Sequence, residues 1–205
     1  MSARFRCPSP AAGGTLRNSR TVFDGRLTRP ADEPRWITGP DARRDARQLR
    51  ARVDAVLVGA ETVRADDPRL TVRSVRGARQ PWRVVLTRSG RLPRQARLFS
   101  DRFAARTLIY KRKSLAAVLK DLGNRGITSV LIEGGGEVLG QALDQRLIDK
   151  VQIYLGSMLT GGPVIAFPGK GTAKTADSLR LRDVDYQKFR QSVSVTGYPE
   201  PLPTQ

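Results

Sequence analysis

The sequence predicts a three-layer α/β domain, with a mainly parallel sheet that ends on an antiparallel C-terminal edge. Three observations predict it. Short apolar runs rich in β-branched residues recur along the chain, and several are continuous rather than alternating, as in strands buried on both faces. Helical apolar stripes lie between these runs. Near the C-terminus apolar and polar residues alternate, which is the pattern of an antiparallel pair.

The elements follow in order. Residues 1–14 carry basic residues and then Cys7-Pro8-Ser9-Pro10. They lack the apolar core of a secretory signal and are expected to be a flexible leader. Gly39-Pro40-Asp41 opens the first full helix, with proline suited to the first turn and aspartate to the positive end. Ala42, Ala46, Leu49 and Val53 fall on one face of it. Strands are expected over 55–59, 83–87, 107–110 and 129–132, with a further run at Val151–Leu155. A second stripe, Leu115, Val118, Leu119 and Leu122, is opened by Ser114 as N-cap and closed by Gly123. Val138, Leu139, Ala142 and Leu143 make a third. Leu179 and Leu181, then Val193 and Val195, form the alternating end. One domain over 15–197 and a frayed tail over 198–205 complete the chain, whose 205 residues suffice for one sizeable core and are few for two.

Composition removes whole classes of chemistry. There is no histidine, so His-based triads, His metal sites and imidazole acid–base catalysis are absent. Proton transfer must fall to carboxylates, lysine, tyrosine or water. Cys7 is the single cysteine. It allows no internal disulfide and suits a reducing cytoplasm. No apolar run approaches the roughly 18 residues of a membrane helix. The formal net charge of +18 attracts anions. The arginines are scattered along the chain, and the 6% of aromatics do not interleave with them as a stacking platform requires. That argues for phosphorylated small ligands and against nucleic acid.

Four segments can carry chemistry. In Val130-Leu131-Ile132-Glu133-Gly134-Gly135-Gly136-Glu137-Val138 a buried strand runs through three glycines into a helix. Such a turn lets backbone N–H groups approach a pyrophosphate, and it is equally a tight strand–helix connection. Its spacing is not the G-x-G-x-x-G of the Rossmann type. Glu133 sits at a strand's C-terminal end, where open α/β sheets bind ligands. In Val58-Gly59-Ala60-Glu61-Thr62 a strand ends on small residues, and Asp66-Asp67-Pro68 follows. The paired aspartates can serve acid–base or metal chemistry, or simply cap and turn the chain. Trp36-Ile37-Thr38-Gly39 precedes the first helix, where an aromatic can wall a pocket or join the core. Thr87-Arg88-Ser89 ends a strand with two hydroxyls around an arginine. That trio can hold a phosphate such as the 2′-phosphate of NADPH, or lie on the surface.

Taken in order, these segments resemble one family. Asp24-Gly25-Arg26, Trp36-Ile37-Thr38, Arg50-Ala51, Asp54-Ala55-Val56-Leu57-Val58-Gly59-Ala60, Thr62-Val63, Asp66-Asp67-Pro68, Leu70-Thr71-Val72-Arg73, Glu133-Gly134-Gly135-Gly136 and Leu159-Thr160-Gly161-Gly162 look like the reductase domain of the riboflavin-pathway deaminase/reductase. The match spans roughly residues 22–197. It implies a dihydrofolate-reductase-like fold, a homodimer, and NADPH-dependent reduction of 5-amino-6-(5-phosphoribosylamino)uracil to its ribitylamino form. The family's zinc deaminase part has no counterpart here.

Carried over residue by residue, Trp36, Arg50, Asp67, Leu70, Arg73 and Glu133 would surround the substrate. Arg50 and Arg73 suit its phosphate, and Asp67 and Glu133 its ribose hydroxyls. Thr38, Gly59, Ala60, Thr62, Thr87, Arg88, Ser89, Gly134, Gly135 and Gly136 would hold NADPH. Asp67 is the first candidate for acid–base work and Glu133 the second; no metal is implied. The first strand departs from the family pattern. Asn18 stands at its lysine position, Val22 at a serine position, Arg20 and Thr21 at small residues, and Pro34 at the serine before the tryptophan. A second reading follows from that departure: a dinucleotide-binding relative with weakened or lost turnover, or with another substrate.

Overall fold

The structure is a computed structural model that describes residues 14–22, 25, 37–73, 75, 77–133, 135–161 and 165–201. The leader before Gly14, together with Asp24, Pro34, Trp36, Gly134 and the last four residues, lies outside the described residues.

Strand β1 (Gly14–Val22) comes first, then helix α1 (Pro40–Gln48), which tightens into a 3-10 turn over Leu49–Arg52. The chain continues through β2 (Ala55–Gly59), α2 (Ala60–Asp66), β3 (Trp82–Thr87), the single turn α3 (Arg97–Ser100) and β4 (Thr107–Lys111). Then come α4 (Leu115–Asn124), β5 (Ser129–Glu133), α5 (Gly136–Asp144), β6 (Lys150–Gly156) and the hairpin β7 (Leu181–Phe189) and β8 (Ser192–Pro199). One sheet holds all eight in the order β4-β3-β2-β5-β1-β6-β8-β7. The first six strands pair in parallel, and β8 joins antiparallel to β6 and β7. The expected architecture is therefore present, with the C-terminal hairpin as the antiparallel edge.

The continuous apolar strands are buried on two sides. Ala55, Leu57, Val130 and Ile132 pack with Leu115, Val118 and Leu122 of α4 and Val138, Leu139 and Ala142 of α5. Val56, Val58 and Leu131 pack on the other face with Ala42, Ala46 and Leu49, and with Val63 and Leu98. Alternate residues of one strand thus feed two helical layers. Gly39 is the N-cap of α1 with Pro40 in its first turn, and Ser114 caps α4 by accepting from the Ala117 N–H at 3.2 Å.

Several boundaries differ from expectation: Val53 lies past the 3-10 turn that follows α1, and Leu179 lies before β7. Helix α4 runs through Gly123 to Asn124, and Gly126, at φ +74°, takes the left-handed position after it. Strand β8 continues past 197, because Tyr198 pairs with Arg182 and Pro199 with Leu181. Among the described residues no helix is long and apolar enough to cross a membrane.

Candidate functional site at the end of β5

The C-terminal ends of β2, β3 and β5 lie side by side, and the glycine turn after β5 sits between two groups of candidate residues. One group is built from the ends of β2 and β3. Gly59 closes β2 and caps α2, and a Cβ on it would meet Val138 at 3.1 Å. Gly135, at φ +75°, is the N-cap of α5; a Cβ there would lie 3.1 Å from the Thr62 hydroxyl and 3.8 Å from the Gly59 nitrogen. The bare backbone of Gly135 therefore faces Gly59 and Thr62, and no side chain caps the N-terminus of α5. Glycine backbone, a hydroxyl and the positive end of a helix make this a candidate cradle for a pyrophosphate. The residues present thus fit a dinucleotide. Gly136 is glycine for a different reason, since its Cβ position is filled by the Ile165 carbonyl at 2.6 Å and Pro168 at 2.9 Å. Ala60 is buried beside the cradle.

The turn after β3 uses its hydroxyls internally. Thr87 Oγ1 accepts from the Gly90 N–H at 3.1 Å and Ser89 Oγ from the Arg91 N–H at 3.1 Å. Each hydroxyl keeps its own proton to donate, and the third member of the expected phosphate trio, Arg88, pairs with Glu137 in the first turn of α5. Both side chains are exposed, so this pair is weak. An open cleft of about 370 Å³ adjoins this turn, lined by Arg64, Arg91, Leu92 and Pro93.

The second group centres on Arg50 and Glu133. Arg50 follows α1 in the 3-10 turn and reaches β5, where its Nε and Nη2 donate to the two Glu133 oxygens at 2.7 Å each. Its Nη1 donates to the Thr71 carbonyl at 3.3 Å. Burial alone would lower the Arg50 value, but the Glu133 charge and hydrogen bonds outweigh it and raise the guanidinium above its ordinary range.

The segment 67–73, which takes part in no strand, brings further positive charge. Burial and then the like charges of Arg50, Arg69 and Arg97 push the Arg73 guanidinium below its ordinary value. Arg97 is paired with Asp67 and Arg50 with Glu133, which leaves more arginines than carboxylates in this cluster.

Asp67 is placed as a turn residue. It ends α2 in the left-handed region at φ +40°, its Oδ1 accepts from the Arg97 N–H at 2.8 Å, and its Oδ2 faces Arg97 Nε at 3.2 Å. Leu70 is buried, also left-handed at φ +54°. Backbone register sets Asn18 beside Glu133 on one side and Gln152 on the other, so the diverged first strand borders this group. Thr38 does not join either group. It is buried with its hydroxyl unpartnered, next to a cleft of about 410 Å³ between Ile37–Pro40, Arg43, Ser157, Met158 and Gln191.

Sequence reasoning missed the residues that hold the 67–73 segment. The Gln80 side chain accepts from the Val72 N–H at 2.9 Å and donates to the Val72 carbonyl at 3.0 Å. Arg83, fully buried in β3, donates to the Arg69 carbonyl at 3.3 Å. A charge inside the apolar run Trp82–Leu86 was the available signal for Arg83; nothing marked Gln80.

An eight-stranded sheet with six parallel strands and an antiparallel C-terminal hairpin is the architecture of dihydrofolate-reductase-like domains. The dihydrofolate reductase of Enterococcus faecalis superposes with a TM-score of 0.60 at 12% identity, covering 93% of this chain and 98% of its own, which shows a shared fold. Residues 17–195 match the RibD C-terminal domain, and the chain belongs to that family. The RibD protein of Mycobacterium tuberculosis is 37% identical over 163 residues, covering 78% of this chain and 47% of its own length. This chain thus spans between a third and a half of the length of the first curated relatives it matches. The 2,5-diamino-6-ribosylamino-4(3H)-pyrimidinone 5′-phosphate reductase of Archaeoglobus fulgidus is 32% identical over 178 residues, 71% of this chain and 80% of that protein. The structure of Acinetobacter baumannii RibD superposes with a TM-score of 0.82 at 28% identity, over 93% of this chain and 59% of its own.

Proposed function

We propose that this chain reduces the ribosyl group of a 5-phosphoribosylaminopyrimidine to the ribitylamino product of riboflavin biosynthesis, with 5-amino-6-(5-phosphoribosylamino)uracil as the substrate and NADPH as the reductant. The observation that carries the reading is the pairing of two sites across the end of β5. One is a backbone cradle at Gly59, Thr62 and Gly135; the other is the Arg50–Glu133 pair beside the arginine-rich 67–73 segment. A nicotinamide dinucleotide, when bound, supplies the hydride. The protein's part is to hold that donor and a phosphorylated sugar at one strand end. Gly59, Ala60, Thr62, Gly135 and the first turn of α5 would hold the pyrophosphate, and Arg88 would favour the 2′-phosphate once released from Glu137. Arg73 would take the substrate's phosphate, with Arg69 beside it. Glu133, oriented by Arg50, would accept from a ribose hydroxyl.

The name of the archaeal relative and the chain's family support the reaction class. The family also motivates a cytoplasmic homodimer. The diverged β1, with Asn18 in register beside Glu133, motivates the second reading of a dinucleotide-binding relative without turnover. Titration with NADPH and NADH, followed by turnover on the uracil substrate and on its 2-amino-pyrimidinone counterpart, tests both. Turnover with NADPH supports the reductase. NADPH binding with no turnover of either substrate selects the second reading, and failure to bind either dinucleotide overturns both.

A further inference from the structure

Arg83 is the largest side chain fully buried among the described residues, at 1% exposure. It interrupts β3, whose neighbours Val84 and Val85 are core residues. A guanidinium in such a place is costly unless its donors are satisfied and a counter-charge is near. Asp101 supplies the counter-charge, accepting from Arg83 Nη1 at 2.8 Å. Nη2 donates to the Leu98 carbonyl at 2.8 Å, and Nη1 also reaches the Arg69 carbonyl at 3.3 Å. Nε has no partner.

Anchoring the turn α3 requires only Leu98 and Asp101, and the Thr107 hydroxyl already donates to the Leu98 carbonyl at 2.9 Å. The bond to Arg69 does something else. It enters a segment whose backbone has no strand partner and is satisfied by side chains instead: Thr71 by Arg50, Val72 by Gln80 and Arg69 by Arg83. The segment also holds two non-glycine residues in the left-handed region, Asp67 and Leu70. Such residues persist only where surrounding contacts over-determine them. Asp67 is in turn fastened to Arg97 of α3, so one guanidinium grips both the segment and the turn that steadies it.

We propose that Arg83 is a positioning residue for substrate binding. From within the sheet it sets where the Asp67–Arg73 segment lies, and thereby aims Arg69 and Arg73 at the substrate's phosphate without touching the substrate. The inference rests on the reading of Arg73 as a phosphate ligand.

The test compares Arg83→Met and Arg83→Lys with the parent protein in steady-state kinetics, NADPH titration and amide hydrogen exchange. Arg83→Met should raise KM for the phosphoribosyl substrate about tenfold while kcat and the NADPH Kd stay within about threefold. Arg83→Lys should recover part of that loss, since an ammonium can serve one of the two carbonyls. Exchange should accelerate at residues 69–73 and stay unchanged in β2 and β5. If Arg83→Met does not fold, the lysine variant carries the same comparison at smaller amplitude. A fall in active enzyme with an unchanged KM overturns the proposal, because that is what a merely structural residue gives. If the parent does not turn over the substrate, the functional reading fails on its own; unaltered exchange at 69–73 then overturns the positioning role separately.

Discussion

Arg50 and Glu133, 83 residues apart in sequence, meet as a fork on a carboxylate, with two nitrogen–oxygen distances of 2.7 Å and side-chain exposures of 11% and 8%. Two ionised groups this far from water are tolerable only together. Breaking the pair leaves a buried charge behind, whereas replacing both with apolar residues does not. We expect Arg50→Met and Glu133→Gln each to lower stability by about 3–5 kcal/mol. The double variant Arg50→Met/Glu133→Leu should regain most of that and still fail to bind substrate. Urea denaturation beside substrate kinetics checks both halves. A double variant as unstable as the singles would show that the pair is a packing feature with no special electrostatic role.

Arg88 tests cofactor preference. A charge-assisted contact contributes on the order of 1.5–3 kcal/mol, and here it must first displace the exposed Glu137, so the lower end applies. Arg88→Ala should weaken NADPH about tenfold and leave NADH nearly unchanged. Fluorescence titration of both dinucleotides reads the ratio. Equal loss for the two would remove Arg88 from the 2′-phosphate.

Asp67 separates acid–base work from turn formation. Both of its oxygens are engaged by Arg97, and the residue ends α2 in a left-handed conformation that asparagine also accepts. Asp67→Asn should therefore keep kcat within about tenfold of the parent and show a modest rise in substrate KM. A near-complete loss of turnover, with NADPH affinity intact, would instead assign the carboxylate to proton transfer.

Asp54 offers a pH-dependent test of stability. Burial alone would raise its carboxyl, but hydrogen bonds from Ser129 and Thr128 and the charge of Arg79 outweigh that and hold it below the ordinary range. A lowered folded value contributes stability that is present above the unfolded value of about 3.9 and lost as pH falls through the folded one. The carboxylate ties the start of β2 to β5 through the Thr128 and Ser129 N–H groups, both at 3.1 Å. Asp54→Asn should cost about 1–2 kcal/mol at neutral pH, the exposed part of the group being discounted. The gap to the parent should narrow below about pH 4, as read by urea midpoints across the acid range. A gap independent of pH would show that the charge is not what matters.

Much of the fold was legible because the physics that sets it is local and periodic. Strands buried on both faces read as continuous apolar runs, and the stripes at Leu115–Leu122 and Val138–Leu143 faced the core as their spacing required. What escaped was non-local or competitive. Gly123 looked like a helix stop, yet Gly126 took the left-handed place, where the Ile127 N–H closes the helix on the Leu122 carbonyl at 3.0 Å. The sequence could not show that the Thr87 and Ser89 hydroxyls also accept from their own turn's N–H groups. The sequence offered Arg50 and Glu133 as separate ligands for a phosphate and a sugar, since no pattern announces that residues 83 positions apart will neutralise each other. The support of segment 67–73 by Gln80 and Arg83 was hidden for the same reason.

Strand β1 lies in the middle of the sheet, and β5 and β6 are joined only through it. The earliest described element is therefore the keystone between two half-sheets, one ending at β5 and the other starting at β6. Its partners lie more than a hundred residues further along the chain, so pairing this strand closes two long loops and raises the contact order of the fold. Within the strand ladder the halves meet only there. The strand beside Glu133 is thus also the seam along which the molecule would be split and reassembled from two pieces.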